Sequence, residues 1–269
     1  MTSKRPESPT GTDELPLVSR RSGAVLELRL NRPERRNALT RQLVLDLGQA
    51  LRDVRAATDV RVVLISGSGG AFCAGADLEA IRGVPSGDFE ARIREFHEII
   101  LGISELDRPV LAAVDGPAVG FGADLALACD LRVLTERAYF EESFTKIGLM
   151  PDGGGTYFLP AAVGARAFEL IALGKRLDAV TCQTLGLANH VVPSAELEAK
   201  AGELAQRLAA VAPLALSEIK RALSAGRREA LRAALAHEAL GQARLLASAD
   251  FEEGVSAFLE KRAPKFTGR

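Results

Sequence analysis

The chain has 269 residues, with 34 Lys plus Arg against 35 Asp plus Glu, for a formal net charge of −1. That balance argues against a nucleic-acid binder working through bulk positive charge, and a content of 47% hydrophobic and 26% charged residues excludes general disorder. Three scattered cysteines, Cys73, Cys129 and Cys182, form neither a disulfide framework nor a zinc cluster, and no apolar run approaches the roughly 20 residues of a membrane span.

Residues 1–16 are polar and rich in Pro, Ser and Thr, and read as a tail that cannot offset its ordering entropy. They lack the apolar stretch of a secretory signal, so a cytoplasmic protein is expected. Order is predicted to begin near Ser22. Leu26, Leu28 and Leu30 alternate with Glu27 and Arg29, the period of a half-buried strand. After Pro33 breaks this pattern, a helix is predicted from Thr40, a good N-cap, with Leu43, Leu47, Ala50, Leu51 and Val54 as its apolar stripe. The run VRVVLISG (60–67) lacks alternation, which predicts a strand buried on both faces. A Gly-rich loop, an amphipathic helix near 88–106 and a second buried strand, PVLAAVDG (109–116), follow. Glycines then lead into an apolar helix, a short strand LRVLT and a third Gly-rich turn before another helix. Strand, glycine turn and helix recur, which predicts an α/β core over 17–195. Within a C-terminal helical region over 196–269, residues 196–262, rich in Ala, Leu, Glu, Arg and Lys, predict three or four helices, the last opened by a capping box of Asp250 and Glu253.

The glycine clusters carry the first chemical signal. Glycine lets the main chain turn sharply and approach a ligand. A helix starting just beyond it aims unpaired N–H groups and a positive dipole end at the same place. Two such starts that converge would supply two donors to one developing oxyanion; taken singly, each cluster is equally an ordinary strand-to-helix turn. Phosphate-loop and dinucleotide-binding patterns are absent from the sequence.

Four segments, NRPERRNAL (31–39), AFCAGADL (71–78), DGPAVGFGADLALACDL (115–131) and GLMPDGGGTYFLP (148–160), together resemble the enoyl-CoA hydratase/isomerase (crotonase) superfamily, in the family's order and separations. The resemblance runs from about Ala24 to Phe266. It implies a crotonase-like spiral of ββα units with a C-terminal helical trimerisation region, a homotrimer or dimer of trimers, and an acyl-CoA thioester substrate, with no separate cofactor, no metal and no nucleic-acid or membrane partner. It places an oxyanion hole on the N–H groups of Ala74 and Phe121, next to Gly122. It sets Ala74, Ala76, Asp77 and Leu78 along the adenine pocket and makes Arg35 or Arg36 a phosphate contact. Phe258 and Lys261 match positions that reach the coenzyme A of an adjacent subunit.

The same mapping bears on the reaction. The two glutamates with which hydratases of this family activate water correspond to Asp124 and Phe144, and Phe144 cannot transfer a proton. Asp152 matches the base of the double-bond-shifting branch, which includes epoxyphenylacetyl-CoA isomerase and some enoyl-CoA isomerases. The resemblance therefore favours isomerisation through an enolate, with Asp152 as acid/base and Asp124 in support. Three alternatives stand beside it: an enoyl-CoA hydratase running on Asp124, a catalytically silent CoA-binding or assembly subunit, and an RNA-binding relative that the charge balance does not support. As plain sequence, Asp152 reads equally as the N-cap of the next helix, Asp124 as a carboxylate favoured by a helix dipole, and His97, His190 and His237 as structural or surface residues.

Overall fold

In the computed structural model, which describes residues 15–81 and 84–269, the first strand begins at Leu17, earlier than the pattern around Ser22 predicts. Strand β1 (Leu17–Ser22) pairs antiparallel with β2 (Val25–Leu30) about a glycine turn. It is an edge strand paired on one side only and four of its six residues are exposed, so no alternation betrays it. All but the last two residues of the expected 1–16 tail lie outside the described residues.

The remaining elements follow in chain order. They are α1 (Arg41–Ala56), β3 (Val62–Gly67), the short α2 (Leu78–Ile81), α3 (Phe89–Glu105), β4 (Val110–Val114), β5 (Pro117–Val119), α4 (Phe121–Ala128) and β6 (Leu131–Thr135). Then come β7 (Tyr139–Glu141), a 3-10 turn at Ser143–Ile147, α5 (Gly155–Val163), α6 (Arg166–Ala172), β8 (Arg176–Asp178), α7 (Ala179–Thr184) and β9 (His190–Val192). Four helices close the chain: α8 (Leu197–Ala209), α9 (Pro213–Ser224), α10 (Arg227–Leu246) and α11 (Ala249–Leu259).

One sheet has the order β1-β2-β3-β4-β6-β9, parallel except for the first pair, and a small second sheet has the order β5-β7-β8. The continuous apolar run of β3 is explained by its two covers. Val63 and Ile65 pack with Leu43 and Leu47 of α1 and Ile99 and Ile103 of α3, while Val62 faces Ala201 and Ala205 of α8. Thr40 caps α1 as expected, its hydroxyl accepting from the Leu43 N–H at 3.3 Å.

At the other end the expected cap is displaced. Ser248, not Asp250, caps α11 by accepting from the Phe251 N–H at 3.1 Å. Asp250 instead accepts from the N–H groups of Thr267 and Gly268, folding the C-terminal segment back on the helix. The last helices do not stand apart from the core. Phe251 and Val255 of α11 and Ala239 and Leu246 of α10 pack with Phe89, Phe144 and Leu149 in one apolar cluster, which forms a wall of the cavity described next.

Candidate active site

Two glycine turns meet beside β5. The segment after β3 is strapped to β5 by Phe72 and Cys73 N–H groups donating to the Pro117 carbonyl, and by the Val119 N–H donating to the Cys73 carbonyl at 2.9 Å. Its other edge bonds the Arg36–Leu39 stretch: Ala74 N–H to the Arg36 carbonyl at 3.0 Å, Leu39 N–H to the Gly75 carbonyl at 2.8 Å and Asp77 N–H to the Leu39 carbonyl at 3.0 Å. Asn37, fully buried at φ +58°, pins that stretch by donating to the Ser68 and Ala71 carbonyls and accepting from the Arg32 N–H.

This corrects the expected donor pair. The Ala74 N–H is already spent on Arg36, so it is not free to hold an oxyanion. The Ala76 N–H has no acceptor among the described residues, and neither does that of Phe121, the first residue of α4. Both residues line one cavity. Gly75 brings the two turns together at φ +89°, and a Cβ there would stand 2.8 Å from the Val119 carbonyl oxygen and 3.6 Å from the Phe121 nitrogen.

The cavity has a volume of about 380 Å³. Phe89, Ile93, Phe96, Val119, Phe144 and Leu149 give it an apolar interior, and Phe96 meets Phe121 edge-on at 4.7 Å between ring centroids. Four carboxylates line it: Asp77, Glu95, Glu141 and Asp152. Three are held by cations. Asp77 pairs with Arg32 at 3.0 Å, Glu95 with Arg41 at 2.7 Å, and Glu141 with Lys146 at 2.8 Å and Arg176 at 3.2 Å. Asp152 pairs with no cation among the described residues. It is half-buried, and desolvation pushes its carboxyl up to about 7, against the hydrogen bond from Gln242, which favours the charged form. It does not cap α5, whose N-terminal amides at Gly154 and Thr156 donate instead to Glu238 at 2.8 and 3.1 Å.

Asp124 is not on the cavity surface. It is fully buried behind the loop that carries Asp152, and its Oδ2 accepts from the Gly153 N–H at 3.0 Å. The expected help from Asp124 finds no direct contact with the cavity: Asp124 is packed against Gly153 and Phe121, since a Cβ on Gly153 would lie 2.7 Å from both Asp124 Oδ2 and the Phe121 ring. Asp124 and Glu142 converge on Gly155, where a Cβ would meet their carboxyl oxygens at 2.5 and 3.3 Å. Burial first, then the nearby carboxylates, raises Asp124 well above the usual carboxylate range, and burial likewise raises Glu142 and Glu238.

Of the other expected contacts, Arg36, Ala76, Asp77, Leu78 and Phe144 line the cavity. Arg35 does not; it is exposed and paired with Glu79 at 3.1 Å. Gly122 backs onto the loop rather than the cavity, because a Cβ there would be 2.2 Å from the Cys73 carbonyl oxygen. Phe258, 62% exposed, lines the cavity of its own chain, while Lys261 lies beyond the end of α11 and does not reach it. Cys73 is buried, and desolvation pushes its thiol up to about 12, which leaves it no nucleophilic role. Sequence reasoning missed Gln242 and Glu238. They sit one helical turn apart on α10, and nothing but their polarity within an apolar pattern could have marked them. His97, buried on α3, faces the main chain of Asp152. Among the described residues no group of three or more His, Cys, Asp or Glu side chains is placed to hold a metal ion, and no helix is long and apolar enough to cross a membrane.

Comparison with known proteins gives a consistent result. A family model described as enoyl-CoA hydratase/isomerase matches residues 20–269. A probable enoyl-CoA hydratase of Rhodobacter capsulatus is 43% identical over 89% of this chain and 93% of its own length. The 1,2-epoxyphenylacetyl-CoA isomerase of Escherichia coli is 37% identical over 94% of this chain and 98% of its own. A crystal structure of an enoyl-CoA hydratase from Mycobacterium avium subsp. paratuberculosis superposes with a TM-score of 0.87 at 37% identity, covering 94% of this chain and 99% of that one. The names attached to similar proteins thus include both hydratases and an isomerase.

Proposed function

Because the chain belongs to the enoyl-CoA hydratase/isomerase family, whose substrates are acyl-CoA thioesters, we propose that it shifts the double bond of an enoyl-CoA, with Asp152 as the single acid/base. The observation that carries this reading is the isolation of Asp152: among the described residues it is the one carboxylate of the cavity without a cationic partner. A base with a pKa near the working pH combines availability with driving force.

The geometry supports the following sequence. The thioester oxygen lies between the N–H groups of Ala76 and Phe121. Asp152 takes the proton from the carbon next to the carbonyl, and the electron pair moves onto that oxygen as a dienolate. The two amides hold the charge, and removing one such donor typically costs about 3 kcal/mol of transition-state stabilisation. Protonated Asp152 then returns its proton two carbons along, and the double bond has moved with no atom gained or lost. Water addition needs a second polar group to activate water. At the position where that group is expected, Phe144 presents a buried ring against Gly120, which keeps the site dry.

The apolar interior suits a hydrocarbon acyl chain. Arg36, exposed at the cavity and free of ion pairs among the described residues, suits a phosphate of coenzyme A. Ile219 and Leu223, one turn apart on α9, are exposed apolar side chains that suit contact with a second copy of the chain.

The test is to supply a 3-enoyl-CoA and a 2-enoyl-CoA separately and follow mass and double-bond position. Migration at constant mass is the expected result. Addition of one water to the 2-enoyl-CoA without migration would overturn the proposal in favour of a hydratase.

A further inference from the structure

Gln242 follows Glu238 by one turn on α10, and both point into the loop that carries Asp152. Gln242 is 1% exposed. Its Oε1 accepts from the Met150 N–H at 3.1 Å. That bond sets the orientation of the side-chain amide, because only the carbonyl end can accept from an N–H. The Nε2 end is thereby turned onto Asp152, where it donates to Oδ2 at 2.9 Å. The main chain on one side of Asp152 thus selects which end of Gln242 the carboxylate meets.

The charged and titratable groups around Asp152 all fail to favour its ionised form. Glu238 of α10, Asp124 of α4 and Glu142 before the 3-10 turn are carboxylates that oppose it. His97 of α3 is held neutral by burial, with its pKa pushed down to about 4. No lysine or arginine pairs with Asp152 among the described residues, and Gln242 is the one side chain there that donates to it. A donor aimed at a carboxylate stabilises the charged form and fixes the direction of the free oxygen.

We propose that Gln242 is a positioning residue, locked by Met150, which holds Asp152 ionised and turns its second oxygen toward the substrate. The proposal rests on the reading of Asp152 as the base.

The experiment follows exchange of the α-proton of a saturated acyl-CoA in deuterated water as a function of pH, for wild type, Gln242→Met, Gln242→Glu and Asp152→Asn. In Gln242→Met the acidic limb of the profile moves to higher pH by about one unit, so that exchange falls about tenfold at low pH and recovers on the alkaline side. Gln242→Glu, which sets a second carboxyl against the first, moves the limb further. A purely structural defect would lower the whole profile without moving its limb, and that result overturns the proposal. Should Gln242→Met fail to fold, Gln242→Glu, which keeps an acceptor for Met150, decides by the same criterion. Full exchange in Asp152→Asn would defeat the assignment of the base itself. Inactive Asp152→Asn with an unmoved limb in the Gln242 variants would defeat the role of Gln242 alone.

Discussion

The Ala74 N–H donates to the Arg36 carbonyl at 3.0 Å, and this bond decides which amide of the first glycine turn is left for a substrate. With Ala74 committed on one edge and Cys73 on the other, the Ala76 N–H remains. Gly75 lies between them, and its left-handed φ of +89° together with the 2.8 Å approach to the Val119 carbonyl leaves no room for a Cβ. Gly75→Ala is therefore expected to push the two turns apart and lower turnover by about 100-fold or more, in line with loss of an oxyanion donor. Steady-state kinetics alongside circular dichroism would separate this from unfolding.

Asp124 offers a contrasting substitution. Its Oδ2 accepts from the Gly153 N–H, and an asparagine can accept the same bond. Asp124→Asn is expected to reduce turnover less than about tenfold, against the 100- to 10,000-fold that removal of a general acid or base typically costs. Replacement kinetics at neutral pH measure this directly; a larger loss would place Asp124 in the chemistry.

Arg36 bears on recognition rather than reaction. Arg36→Ala is expected to raise KM for an acyl-CoA severalfold with kcat nearly unchanged, the pattern for loss of uniform binding. The same variant should handle an acyl-pantetheine, which lacks the nucleotide phosphates, as wild type does. Parallel kinetics on the two thioesters provide the check.

The buried carboxylates predict an unusual dependence of stability on pH. In the folded chain burial raises Asp124, Glu142, Glu238 and Asp152 above the usual range. The folded form therefore holds protons that the unfolded chain releases near pH ~4. Stability falls as pH rises from there to about 8, where Glu142 loses its proton. His97 opposes this below pH ~6.5, because it is neutral when folded and charged when unfolded. One histidine against four carboxylates does not reverse the sign. Thermal melts should show a higher Tm at about pH 5.5 than at about pH 8.5, with the difference reduced in Asp152→Asn.

Much of the fold was legible because its signals are local. Continuous apolar runs marked β3 and β4, helical spacing marked α1, and Thr40 announced its own cap. Strand β1 was not legible, since an exposed edge carries no alternation. The Asp250 cap was misread because Ser248, two residues earlier, competes for the same role and wins. In the site, Asp152 and Phe121 were placed by motif. The choice between Ala74 and Ala76 was not, because amides two residues apart in an extended segment face the same way, and only the left-handed turn at Gly75 (φ +89°) separates the amide bonded to Arg36 from the one left free. Gln242 and Glu238 lie some ninety residues from the loop they hold, and no periodicity links a polar pair on a distant helix to the amides it receives.

In the proposed reaction Asp152 exchanges a proton with the carbon next to a thioester carbonyl. Incubation of a saturated acyl-CoA with the protein in deuterated water, read by mass, tests that step without knowledge of the natural acyl group. Deuterium should enter at the α-carbon with the wild type, and at least 100-fold more slowly with Asp152→Asn. Uptake by Asp152→Asn at the wild-type rate would contradict that role.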